Sequence, residues 1–233
     1  MEVVIKKIIR ETHDTITWQF DGSMDYLPGQ FITLSVNQFP ELLTKPNVKL
    51  GSRAYSITWP FGITIKRENN GLFSNYALDG QVKEGDKIEI KGPFGNQFKY
   101  ELPYTDVLLI GAGSGIVPLY TLLSFISDKK IPVQARLLLS NKTPDNIIFR
   151  KDLEMLGENY NNIKIIHALT QYNGDDWKGR TKRIDSELIQ QTASELKDPT
   201  YFICGPNEFG KFFETELLKL GIRKDKLKRE SWG

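Results

Sequence analysis

The stretch from Asp106 to Phe125, DVLLIGAGSGIVPLYTLLSF, constrains this chain more than any other. Four apolar residues, Val107 to Ile110, run into three alternating glycines, Gly111, Gly113 and Gly115, and an apolar pattern at helical spacing follows from Leu119 to Phe125. The pattern predicts strand, tight turn, helix. Such a turn presents backbone N–H groups at a helix N-terminus, where the macrodipole favours an anion and the missing side chains let a phosphate approach. Glycines serving only a tight turn are the plain alternative. The spacing is G-x-G-x-G rather than G-x-G-x-x-G, and the turn lies near the middle of the chain instead of opening it. The next strand, Val133 to Leu139, ends in Ser140, Asn141 and Lys142, with no carboxylate for a ribose hydroxyl. The stretch therefore reads as a nucleotide-binding half placed second, behind a domain of another kind.

In the first half, short β-branched and aromatic runs broken by turns predict a small antiparallel barrel. Strands are expected at Val3 to Arg10, Thr15 to Phe20, Phe31 to Val36, Ala54 to Trp59, Phe61 to Arg67 and Lys87 to Lys91. Phe39 to Ser52 reads as a long loop, and the one helix of this half is Ser74 to Asp79, with Ser74 as its N-cap. Beyond Pro103 the texture changes. Strands Val133 to Leu139, Ile163 to Leu169 and Thr200 to Cys204 alternate with helices Ile148 to Leu156, Ser186 to Thr192 and Phe209 to Leu220. Alternation of this kind implies a parallel sheet covered on both faces, with ligands beyond the carboxyl ends of its strands. Gly111 to Gly115, Ser140 to Lys142, Thr170 and Cys204 to Pro206 share that edge. The boundary falls near Leu102 to Tyr104, dividing the chain into residues 1–102 and 103–233.

Composition narrows the chemistry. Cys204 is the only cysteine, which excludes an internal disulfide, a Cys-based zinc site and an all-Cys iron–sulfur cluster, and no metal is expected. Lys and Arg number 31 against 29 Asp and Glu, with no basic block longer than KLKR, so nucleic acid is not an expected partner. Charges interrupt the apolar run at the N-terminus, and no stretch approaches the roughly 18 apolar residues of a membrane span, so the expected location is the cytoplasm.

The barrel carries its own anion chemistry. A Gly51-Ser52 turn leads into Arg53-Ala54-Tyr55-Ser56, and strand alternation puts Gly51, Arg53 and Tyr55 on one face and Ala54 and Ser56 on the other. A fork-shaped cation beside a flat aromatic suits a pyrophosphate attached to a ring system. An exposed arginine beside a half-buried tyrosine is the other reading. Gly71-Leu72-Phe73-Ser74, at the start of the short helix, supplies a second anion site, and two such sites in one barrel suggest a dinucleotide.

On these motifs the chain resembles the ferredoxin–NADP reductase family of flavoproteins over nearly its whole length. Pro28-Gly29-Gln30-Phe31 is similar to the family's PGQF strand, Arg53 to Ser56 to its RxYS flavin motif, and Gly71 to Ser74 to its GxxS pyrophosphate motif. Gly92-Pro93-Phe94-Gly95 resembles its GPFG turn, Cys204-Gly205-Pro206 its CGP, and Gly111 to Pro118 its GGTGIAP loop, with Ala112 and Ser114 departing from it. The resemblance implies a Greek-key FAD barrel followed by a five-stranded parallel NAD(P) domain. It implies that Arg53 holds the pyrophosphate, that Tyr55 packs on the flavin ring and that the Ser56 hydroxyl faces flavin N5. Ala54, Lys66, Gly71, Leu72, Phe73 and Ser74 complete the implied flavin side.

For the nicotinamide nucleotide, NADPH or NADH, the resemblance implies Gly111, Gly113, Ser114, Gly115 and Pro118, with Ser140, Asn141, Lys142 and Thr170, and Cys204, Gly205 and Pro206 at the next strand end. Lys142, with Arg150 beyond it, lies where relatives that select NADPH carry a basic residue, while Asn141-Lys142-Thr143 also resembles the loop of NADH-using relatives. Cys204 equally suits a buried core position. Trp232, near the end of a charged tail where chain ends usually fray, matches the family's terminal aromatic that stacks on the flavin, with Glu230 two residues before it. Packing of Trp232 between domains or against a second subunit is the alternative. Ser56, Cys204 and Glu230 are the catalytic candidates, whereas His13 and His167 match no motif. The implied activity is hydride transfer from NAD(P)H to FAD, with electrons passing to a separate carrier such as ferredoxin, flavodoxin or an oxygenase component. A free-flavin reductase and an electron-transfer subunit of a larger complex are the competing readings.

Overall fold

The computed structural model describes residues 1–43 and 51–232, Trp232 by its backbone alone. The first half comprises β1 (Glu2–Thr12), β2 (Thr15–Phe20), β3 (Phe31–Ser35), the single turn α1 (Pro40–Leu43), β4 (Ser52–Thr58), β5 (Gly62–Lys66), α2 (Leu72–Leu78) and β6 (Lys87–Phe94). The strands close into a barrel in the order β1-β2-β5-β4-β3-β6, every pair antiparallel. Alternation decides which residues fill it: Ile88 and Ile90 on β6 are buried while Lys87, Glu89 and Lys91 between and beside them are exposed. Trp18, fully buried, meets Phe73 of α2 edge to face at 6.0 Å. The short helix is thereby anchored by its aromatic residue to the barrel core.

The second half comprises β7 (Val107–Ala112), α3 (Ile116–Asp128), β8 (Ala135–Asn141), α4 (Arg150–Asn159), β9 (Ile163–Leu169), α5 (Ser186–Ala193), β10 (Thr200–Pro206), α6 (Asn207–Lys219) and β11 (Leu227–Trp232). The sheet order is β11-β10-β7-β8-β9, all parallel. Successive residues of β7 serve opposite cores, Val107 and Leu109 on the α3 and α4 face, Leu108 and Ile110 on the α5 and α6 face. Because β8 and β9 extend to one side of β7 and β10 and β11 to the other, the chain changes direction between β7 and β10. The crevice beyond their carboxyl ends is where such sheets take ligands.

Four expectations need correction. The short barrel helix starts at Leu72 with Gly71 as its N-cap, so Ser74 lies inside the first turn and does not cap it. The expected loop Phe39 to Ser52 contains α1, and the rest of it, residues 44–50, lies outside the described residues. The helix after the glycine turn begins at Ile116, because the turn itself is a single tight 3-10 turn, Gly113–Gly115, running straight into it. The charged C-terminal segment is a paired strand, with Tyr201 opposite Leu227 and onward to Cys204 opposite Glu230. An edge strand keeps one side in water, so its charged sequence carries none of the apolar alternation that marks an inner strand.

Candidate functional site

A cleft of about 550 Å³ opens between the two halves. Its barrel wall is Arg53, Ala54, Tyr55 and Ser56 of β4, with Lys66 at the end of β5 and Gly71 to Ser74 at the start of α2. Its other wall is Ser114 of the glycine turn and Val117 of α3. Residues from both sequence motifs thus face one space, although about sixty positions separate them along the chain.

On the barrel side, the Ser74 hydroxyl accepts from the Glu68 N–H at 3.1 Å and donates to the Gly71 carbonyl at 3.1 Å, tying the loop into shape. No side chain caps α2. Tyr55 meets Phe73 at 6.1 Å between ring centroids, and burial pushes its phenol well above the ordinary value, so it stays neutral. Lys66 lies 3.5 Å from the Asp14 carboxylate. Burial works against the Asp14 charge, but hydrogen bonds from Thr12 (2.7 Å) and Thr15 (3.0 Å), together with the Lys66 ammonium, outweigh it and hold the carboxyl below its usual range. Asp14 was not among the sequence candidates, having no motif of its own. Lys66 Nζ also comes within 3.9 Å of the position a Cβ on Gly113 would take, so it reaches from the barrel to the glycine turn.

On the opposite side, Gly115 lies against the backbone of β10. A Cβ there would sit 2.1 Å from the Cys204 carbonyl oxygen, so only glycine permits the approach. Cys204 itself is fully buried in the core on the α3 face. Burial first, and the neighbouring Glu230 second, push its thiol upward, keeping it protonated. The structure thus encloses the thiol, as the core position open to Cys204 would have it, and presents the backbone of Cys204 and Gly205 to the turn. Glu230 is largely enclosed, one carboxylate oxygen has no hydrogen-bond partner among the described residues, and burial raises its carboxyl pKa. The stacking expected of Trp232 concerns a side chain outside the described residues.

At the end of β8, the Asn141 carbonyl accepts from both the Thr170 N–H (2.9 Å) and the Thr170 hydroxyl (3.2 Å). Lys142 is exposed, whereas Arg150 pairs with Glu154 at 3.0 Å and lies over the Trp177 ring at 5.9 Å. Gly111, Pro118, Ser140, Gly205 and Pro206 belong to the same carboxyl edge but do not line the cleft. His167 is mostly buried, edge-on to Trp177 at 6.0 Å, and burial lowers its pKa. Val117, which lines the cleft, was missed because it is one more apolar residue in an apolar helix. Among the described residues there is no cluster of His, Cys, Asp and Glu able to hold a metal, and no helix long and apolar enough to cross a membrane.

The lining fits a flavin nucleotide. It combines a guanidinium, an uncapped helix start open to an anion, an aromatic side chain and a hydroxyl within one cleft. Residues 2–100 match the family model of an oxidoreductase FAD-binding domain, and residues 109–215 that of an oxidoreductase NAD-binding domain. In that order the two define a flavin- and nicotinamide-dependent oxidoreductase of two domains. The chain belongs to the ferredoxin–NADP reductase-like family of flavoreductases. It is 27% identical over 233 residues to the glycine betaine monooxygenase reductase subunit of Pseudomonas aeruginosa, covering 97% of this chain and 63% of that protein. It is 33% identical over 145 residues to NADH-cytochrome b5 reductase 2 of Meyerozyma guilliermondii, covering 61% and 48%. The chain therefore spans less than two thirds of the length of these curated relatives. Among solved structures, the FAD/NAD-binding domain of nitric oxide dioxygenase from Vibrio cholerae superposes with a TM-score of 0.83 at 24% identity, covering 100% of this chain and 98% of that one. The ferredoxin reductase of carbazole 1,9a-dioxygenase superposes at 0.79 with 20% identity, covering 100% and 69%.

Proposed function

We propose that this chain is the reductase unit of an electron-transfer system, oxidising NAD(P)H with FAD and delivering the electrons to a separate protein. The observation that carries this reading is the shared cleft, in which Tyr55 and Ser56 of the barrel stand opposite Ser114 and Val117 of the second half. When bound, the flavin takes two electrons as a hydride from nicotinamide and releases them singly or in pairs. The protein supplies position, polarity and water exclusion. Arg53 and the first-turn N–H groups of α2 hold the pyrophosphate, and Tyr55 packs on the ring. Ser56 offers a hydroxyl at the reacting edge, the Lys66 ammonium offsets negative charge there, and Val117 keeps the nucleotide face dry. Gly115 brings the turn down onto β10 so that its neighbours lie close to the nicotinamide nucleotide, and exposed Lys142 reads a 2′-phosphate, favouring NADPH.

The acceptor is proposed to be a protein because the reductase subunits of oxygenases are among the relatives, and an oxygenase component suits that role best. Colour and turnover test the whole reading. The protein as purified is expected to be yellow, to bleach with NADPH or NADH, and to be reoxidised faster by a one-electron protein carrier than by air. Colourless protein that reduces added free flavin in proportion to its concentration would instead identify a free-flavin reductase.

A further inference from the structure

We infer that Thr121 is a positioning residue for hydride transfer, tying the helix that follows the glycine turn to the strand that carries Ser56. The inference rests on the proposed placement of flavin at β4 and nicotinamide at the glycine turn. Thr121 lies in α3 and is fully buried. Its hydroxyl donates to the Ile57 carbonyl at 2.8 Å and accepts from the Trp59 N–H at 3.1 Å, both across the join between the two halves. Ile57 is the residue directly after Ser56.

A threonine inside a helix ordinarily turns its hydroxyl back to a carbonyl of the preceding turn. Here the hydroxyl crosses to β4, where its proton and a lone pair are both engaged, and that fixes its rotation. Other contacts between the halves include single hydrogen bonds, such as Tyr100 to the Thr105 carbonyl at 2.9 Å, and ring packing. Phe98 and Tyr100 pack on Phe202 at 5.2 and 6.1 Å, Trp59 meets Phe125 at 6.0 Å, and Lys228 Nζ reaches the Lys99 carbonyl at 2.6 Å. Ring contacts allow sliding of a few tenths of an ångström, and the Lys228 contact uses a long flexible side chain. The paired hydrogen bonds of Thr121 set distance and direction together. They do so one residue from Ser56, on the helix that runs directly out of the Gly113–Gly115 turn. Any change in that join is transmitted to the separation of the two nucleotide sites.

Thr121→Val keeps the branched shape and removes both hydrogen bonds, and Thr121→Ser keeps the hydroxyl. FAD content, thermal midpoint and nicotinamide affinity are measured for the holoprotein and both variants, followed by single-turnover bleaching by the preferred nucleotide and by dithionite, which needs no docking. Thr121→Val is expected to retain FAD and nucleotide affinity and to bleach about 10- to 100-fold more slowly with nucleotide, the scale of a misplacement approaching 1 Å. Dithionite bleaching is expected to be unchanged, and Thr121→Ser to recover most of the nucleotide rate. A Thr121→Val protein that bleaches at the wild-type rate overturns the inference. So does loss of folding, flavin or nucleotide affinity in Thr121→Val, which makes the residue merely structural, or a Thr121→Ser variant that is as slow as valine. Wild-type protein that takes up no FAD overturns the functional reading and this inference with it, so the two failures are separable.

Discussion

Ser56 stands opposite Phe31 in the β3 and β4 pairing and lines the cleft, half-buried, with its hydroxyl on the side where the reacting ring is proposed. A hydrogen bond made there, away from water, is worth about 1–3 kcal/mol. Ser56→Ala is therefore expected to slow flavin reduction roughly 5- to 150-fold while leaving FAD bound, as measured by stopped-flow bleaching of the loaded protein. Glu230 yields a prediction of opposite character. Its carboxyl pKa is raised in the folded protein by burial, so folding favours the protonated form, and the associated stability is present below the unfolded value near 4.5 and lost as pH rises through the folded value. Glu230→Gln removes that loss, and the variant is expected to have a higher thermal midpoint than wild type at neutral pH, with the difference vanishing in acid. Equal midpoints across the range would show that the enclosed oxygen costs nothing. For Lys142→Ala the ratio of kcat/KM for NADPH over NADH is expected to fall, and an unaltered ratio would remove Lys142 from recognition of the 2′-phosphate. Short motifs with a mechanism singled out Arg53, which lines the cleft, and Gly115, which lies against β10. Asp14 and Val117 were not legible in the sequence, because what selects them is a spatial neighbour and not a local pattern.

Among the elements, the strands up to β10 were legible because burial leaves an apolar pattern in them: β2 and the edge strand β9 fall at the expected bounds, and the others within a few residues. The exceptions have identifiable causes. At α2, a glycine N-cap replaces the serine expected from hydroxyl preference, because the Ser74 hydroxyl is engaged with Glu68 and Gly71. In β11, the charges of an edge strand hid the pairing altogether. That strand covers one edge of β10, where Tyr201, Phe202 and Ile203 are buried. Truncation after Lys226 is accordingly expected to destabilise the second half and to promote association through the bared strand edge. Thermal unfolding and light scattering of the truncated protein check this, and a monomer with an unchanged midpoint would mean that β11 is dispensable.

For the molecule as a whole, barrel and parallel sheet were each readable from the chain, yet their mutual placement was not. It depends on contacts such as Thr121 with Ile57 and Lys66 over Gly113, which join residues with no periodic relation to one another. In the proposed reductase that placement is what couples the two nucleotide-binding domains, since it sets Ser56 and Ser114 on facing walls of one cleft. Direct hydride transfer across this cleft can be followed by anaerobic stopped-flow mixing of the FAD-loaded protein with NAD(P)H carrying deuterium at the transferred C4 position. Complete bleaching of the bound flavin is expected without added free flavin, at a rate slowed by deuterium. Bleaching that requires free flavin, or no bleaching by either nucleotide, would rule out direct transfer between the two bound nucleotides.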